Sequence, residues 1–84
     1  GEEFGAILFD INEEILEICL KHINKRVLDL KIEHKSSTVS QFVTISIGAV
    51  IYKAGDNTSS NRLYKMADEN LYKSKQNGRN QYTI

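Results

Sequence analysis

Proline is absent from the 84 residues, and cysteine occurs once. A lone Cys19 excludes an internal disulfide and a cysteine-based metal cluster, and it suits a reducing compartment. Its neighbours Ile18 and Leu20 mark it as a small core residue. Eleven basic residues cancel eleven acidic ones. There is thus no global field of the kind that draws a protein to DNA or RNA. No long hydrophobic run is present. The longest, Phe42–Tyr52, contains Thr44 and Ser46 and is too short to span a bilayer. No secretory signal is legible, so no membrane segment is expected in this chain. Repeats, low-complexity tracts and linkers are also missing. The lack of proline by itself excludes nothing.

What remains is one small domain over residues 1–84, with 40% hydrophobic and 26% charged residues, the balance of a folded soluble chain. A chain this short buries a modest share of its surface. Glu3–Phe9 is an apolar run of strand length. Asn12 can cap a helix whose first turn carries Glu13 and Glu14 against the positive dipole end. That helix is expected to reach about Leu30. Its buried stripe is Leu16, Cys19, Leu20, Ile23, Val27 and Leu30, and its wet side is Lys21, Asn24, Lys25 and Asp29. Lys31–Gln41 is a polar connector with room for a short edge strand. Phe42–Tyr52 alternates Val43, Ile45, Ile47, Ala49 and Ile51 on one face against Thr44, Ser46, Gly48 and Val50 on the other. Gly48 leaves space for a close neighbour. Gly55-Asp56-Asn57 is a turn. Ser59 or Ser60 starts a second helix, about Asn61–Asn77, with Leu63, Met66, Ala67, Asn70, Leu71 and Ser74 on one face. Gly78 ends it, and Gln81–Ile84 is a last short strand. The expected order is β-α-β-α-β, an α/β chain.

Few residues offer chemistry. His22 and His34 are isolated, as surface histidines are. No nucleophile–base arrangement and no Walker-type glycine loop is present. Gly1-Glu2-Glu3 at one end could be a solvated acidic pair, or carboxylates that hold a divalent metal. Adjacent strand residues point to opposite faces, so both acids reach one metal only if the backbone turns at Gly1. Near the other end, Lys75 and Arg79 could simply answer the helix dipole, as could Lys73, which Glu69 can pair at i,i+4. They could equally offer a point charge and a planar fork to a polyphosphate. Carboxylates and cations together read as two halves of a nucleoside-triphosphate site.

Four segments carry a resemblance. Gly1-Glu2-Glu3-Phe4 resembles the end of the Gly-Gly-(Asp/Glu)-Glu-Phe signature of the GGDEF family, the diguanylate cyclases. Val43-Thr44-Ile45-Ser46-Ile47-Gly48 resembles its central strand. Ala67 to Lys75 resembles its Ala-Asp-x-x-Leu-Tyr-x-(Ala/Ser)-Lys helix, and Gly78-Arg79-Asn80 its closing motif. Order and spacing agree along the whole chain. The resemblance implies a palm or nucleotidyl-cyclase-like α/β (α+β) fold, of which these residues are the C-terminal half, beginning inside the signature. It implies condensation of two GTP into cyclic di-GMP, by subunits that meet face to face as a homodimer. It implies Glu2 as ligand of Mg²⁺ (or Mn²⁺) and candidate base, Glu3 beside the metal, and Gly1, Lys75 and Arg79 as substrate-binding. The upstream aspartate and the guanine-reading residues of the family lie before Gly1, so these residues alone are expected to be inactive. A cytoplasmic location is expected, and the protein carrying these residues could still be membrane-anchored through another domain. Two other roles stay open: a module that binds GTP or cyclic di-GMP without turnover, and a structural or dimerising domain.

Overall fold

A computed structural model of the chain describes residues 3–8, 11–34, 41–53 and 55–84. Its regular elements are α1 (Glu13–Asp29), β1 (Ile47–Gly48), α2 (Ser60–Gln76) and β2 (Tyr82–Thr83). This is the expected mixture of helix and strand, joined by a small parallel sheet.

Both helices begin where a local cap dictates. Asn12 is extended (φ −100°, ψ 176°), and its Oδ1 accepts from the Ile15 N–H at 2.8 Å. Ser59 does the same for α2, its Oγ accepting from the Arg62 N–H at 3.2 Å. Each cap satisfies a backbone donor that the helix itself leaves unpaired, worth about 1 kcal/mol. On α1, Leu16 and Leu20 are buried and Cys19 and Val27 half-buried, as the 3.6-residue period predicts. Ile23 and Leu30 face solvent instead, because the strands behind α1 are too short to cover its far turns. Asn24 corrects the expected wet face. Its Nδ2 donates to the Ile45 carbonyl at 2.8 Å, so this amide pins the helix to the strand segment.

After α1 the chain folds back on itself. His34 N–H donates to the Gln41 carbonyl at 2.7 Å and Val43 N–H to the Ile32 carbonyl at 2.6 Å, around an antiparallel Glu33–Phe42 bridge. Where the connector had room for a short edge strand, the described residues form this single bridge and no strand; residues 35–40 lie outside the described residues. β1 then pairs in parallel with β2, in the register Ile47–Tyr82 and Gly48–Thr83. Ile47 N–H donates to the Gln81 carbonyl and Ala49 N–H to that of Thr83, each at 2.9 Å. Parallel strands need a crossover, and α2 supplies it.

α2 lies close on β1. A Cβ on Gly48 would run into the backbone of Ala67 and Leu71, so only glycine admits the helix at this depth. Asn70 Nδ2 donates to the Ala49 carbonyl at 2.8 Å, and Ser74 Oγ to the Ile47 carbonyl at 2.7 Å. Ser74 is fully buried. Its single hydroxyl hydrogen is committed to Ile47, so Thr83 donates in the 2.8 Å contact between the two hydroxyls. Met66, expected on this face, is exposed.

Two expectations change at the strands. Residues 3–8 form no strand, and Phe4 and Ile7 are 94% and 80% exposed. A strand is held by lateral hydrogen bonds, and among the described residues no strand pairs with this segment. Phe9 and Asp10 lie outside the described residues. The long strand expected over residues 42–52 has its parallel ladder only at Ile47–Gly48, because its neighbour β2 is itself two residues long. Among the described residues no helix is long and apolar enough to cross a membrane.

Candidate functional site

The site is built around the end of α2. Asn77 N–H closes the last turn on the Lys73 carbonyl at 2.9 Å. Gly78 follows in the left-handed region (φ 114°), and Arg79 N–H reaches back to the Ser74 carbonyl at 2.9 Å. This is the six-to-one bond of a Schellman stop. Arg79 (φ 63°) and Asn80 (φ 48°) continue left-handed, a costly conformation for residues with a Cβ. Gln81 spans the turn: its Nε2 donates to the Asn77 carbonyl at 2.7 Å and to the Arg79 carbonyl at 3.0 Å. Helix, turn and β2 thus form one hydrogen-bonded unit.

Lys75 stands on the last turn of α2, where a cation also suits the negative end of the dipole. Its Nζ lies 3.8 Å from Oε1 of Glu3, a residue from the opposite end of the chain. The side chains are 38% and 57% exposed, so the pair adds at most about 1 kcal/mol. Its meaning is positional, because it brings one acid of the Gly-Glu-Glu run beside one cation of the helix end. Gly1 and Glu2 lie outside the described residues. Arg79 is exposed, four residues beyond Lys75 and past the helix stop, and has no ion-pair partner among the described residues. Glu69 and Lys73 do not form the i,i+4 ion pair that their spacing allows. Both line an open groove on the outer face of α2 with Asp68, Tyr72 and Gln76.

The other titratable contacts lie on α1. Tyr82 Oη donates to Glu17 Oε1 at 2.7 Å, and this hydrogen bond pushes the Tyr82 phenol above its ordinary range. Lys25 Nζ donates to Asp29 Oδ2 at 2.7 Å and lowers that carboxyl. His22 accepts from Arg26 Nε at 3.1 Å and His34 is exposed, the surface roles expected of both. Sequence reasoning passed over Gln81. Its signal was position alone: a long amide directly after three residues that leave the helix.

No three of the described histidines, cysteines, aspartates and glutamates cluster as a metal cage. Mg²⁺, however, is commonly held by one or two carboxylates together with substrate phosphates. Glu3, an exposed hard-oxygen donor with a phosphate-type cation at 3.8 Å, fits that second mode.

The chain matches the family model described as diguanylate cyclase, GGDEF domain, over residues 1–81. It is 37% identical over 84 residues to the probable diguanylate cyclase DgcT of Escherichia coli (strain K12), covering all of this chain and 18% of that protein. It is 36% identical over 84 residues to diguanylate cyclase A of Treponema denticola, covering all of this chain and 22% of that protein. The chain thus spans about a fifth of the length of these relatives. No solved structure matches it significantly.

Proposed function

The chain belongs to the GGDEF family of diguanylate cyclases, and on that premise we propose that the protein carrying it condenses two GTP into cyclic di-GMP and two pyrophosphates. The observation that supports this most is the approach of Lys75 Nζ to Glu3 Oε1 at 3.8 Å. It joins the acidic signature to the cationic helix end, the two components phosphoryl transfer needs.

Glu2 and Glu3 are the carboxylates that would hold a divalent metal, Mg²⁺ or Mn²⁺. Bound there, such a metal would supply positive charge that neutralises the reacting phosphate. Lys75 and Arg79 grip the triphosphate, and Gly1 is the third substrate-binding residue. Each 3′-hydroxyl attacks the α-phosphorus of the facing nucleotide. The O3′–P bond forms as the bond to the β-phosphate oxygen breaks. Glu2 takes the hydroxyl proton, and Lys75 and Arg79 receive the growing charge on pyrophosphate. Glu3 holds Lys75 toward the site until phosphate oxygens replace it. Two subunits face each other, one GTP on each. The setting is cytoplasmic, where GTP is available and Cys19 stays reduced.

The test is incubation of the full-length protein with GTP and Mg²⁺ and chromatography of the products. Cyclic di-GMP is expected, and Glu2→Gln should abolish it while leaving circular dichroism unchanged. Lys75→Ala and Arg79→Ala should each lose about 1.5–3 kcal/mol of charge-assisted phosphate contact. The 84 residues alone should not turn over, because they do not assemble the full reaction geometry. GTP binding without product would make the protein a binding module, and neither binding nor product would leave a structural role.

A further inference from the structure

We propose that Gln81 is the positioning residue for Arg79, a role that rests on the phosphate-binding reading of Arg79. The turn that carries Arg79 is held in an unusual shape. Gly78, Arg79 and Asn80 have φ of 114°, 63° and 48°, three left-handed residues in a row. Only the first is a glycine, so the backbone would relax unless other contacts fixed it.

Two backbone bonds fix its edges. Arg79 N–H donates to the Ser74 carbonyl at 2.9 Å, and Ile47 N–H donates to the Gln81 carbonyl at 2.9 Å. Neither reaches the carbonyls inside the turn. The Gln81 carboxamide does, with Nε2 at 2.7 Å from the Asn77 oxygen and 3.0 Å from the Arg79 oxygen. A carboxamide nitrogen has two hydrogens, so one can serve each carbonyl. These two acceptors bracket Gly78 and Arg79, so Gln81 sets the spacing of the peptide units at the two ends of the Gly78–Arg79 pair. The main chain of Gln81 is fixed in the β1–β2 register. Through it, Arg79 is referenced to the sheet and not only to the end of α2.

The consequence is a functional coupling without contact between Gln81 and substrate. Gln81→Leu keeps the approximate volume and removes both donors. In the full-length protein it should weaken binding of a GTP analogue with a non-cleavable α–β bridge, and lower kcat/KM for GTP, each roughly tenfold. The melting temperature should stay close to that of the unsubstituted protein. Arg79→Ala should cost at least as much. The double variant Arg79→Ala/Gln81→Leu should then match Arg79→Ala alone, because a residue acting only through Arg79 has nothing left to position. Losses that add would overturn the proposal, as would unchanged binding in Gln81→Leu. Arg79→Ala at full affinity and activity would remove the phosphate role itself, a separate failure that also overturns the positioning. If Gln81→Leu does not fold, Gln81→Asn carries the same cycle. It keeps the amide but is one methylene too short to serve both carbonyls.

Discussion

The two helices have equal length and similar caps, yet they are attached to the sheet by different means. α2 sits on β1 at backbone distance across Gly48, and Asn70 and Ser74 donate to the Ala49 and Ile47 carbonyls. α1 is held by two buried leucines, one hydrogen bond from the Asn24 amide to the Ile45 carbonyl, and the exposed Tyr82–Glu17 contact. Backbone-depth contact backed by two hydrogen bonds fixes a helix in one register more firmly than two buried leucines with one such bond. The cations proposed to hold phosphate ride on the tightly fixed helix and its terminal turn. The acids arrive on residues 1–8, of which the described part makes no backbone pairing. The cations proposed to grip phosphate thus ride on the more firmly anchored helix and the turn that ends it, and Glu3, the described member of the proposed metal-holding pair, comes within ion-pair reach of Lys75.

The hardest test of this contrast is Gly48→Ala. The new methyl would meet the backbone of Ala67 and Leu71, which cannot yield as a side-chain end could. Overpacking commonly costs about 1–3 kcal/mol, and backbone contact places this case at or above the top of that range. Loss of cooperative thermal unfolding is expected, and an unchanged melting temperature would show that α2 is not pinned at Gly48. Next in size, Leu20→Ala should cost about 2–3 kcal/mol by urea titration, the lower part of the core range, because the thin layer around it can collapse. A loss near 5 kcal/mol would mean that α1 is as rigidly seated as α2.

Ser74→Ala sharpens the comparison from the other side. It removes the donor to Ile47 and leaves the Thr83 hydroxyl without its acceptor, for a loss of about 1–2 kcal/mol. Amide exchange should accelerate in the last turn of α2 more than in α1. Equal acceleration in both helices would contradict separate anchoring. The smallest effect concerns pH. The folded-state pKa of Tyr82 is raised by its hydrogen bond to Glu17. Its contribution is therefore complete below the ordinary tyrosine value of 10.0 and is lost as pH rises through the folded value. Tyr82→Phe should flatten stability between pH 9 and 11, on the order of the phenol titration range. A slope that survives this substitution would place the titration elsewhere.

The sequence made local features legible and left pairing obscure. Asn12, Ser59 and Gly78 mark the helix ends because capping involves residues within a turn of each other. Gly48 was readable because a glycine in an apolar alternation has few other uses. The length of β1 was not readable, since it depends on how far β2 runs beside it. Residues 3–8 carry a strand's composition without a strand's neighbours, and composition alone cannot supply lateral bonds. Asn24 was misplaced because periodicity sorts an amide with the wet residues, whereas this one donates to a carbonyl. Of the candidate site, the residue types at both ends were plain. That Glu3 and Lys75 come within ion-pair reach is a tertiary fact that no spacing expresses.

The tight contact at Gly48 also gives α2 a fulcrum. Leu71 rests there, and Lys75 stands four residues further along, about 6 Å at 1.5 Å per residue. Ser59, at the start of the helix, is about 18 Å away on the other arm. Ser74, buried and hydrogen-bonded to the Ile47 carbonyl on the short arm, holds the helix again just before Lys75, so a displacement imposed near Ser59 reaches the lysine strongly reduced. A push on the beginning of α2 would therefore reach the lysine proposed to grip phosphate as a small correction and not as a large swing.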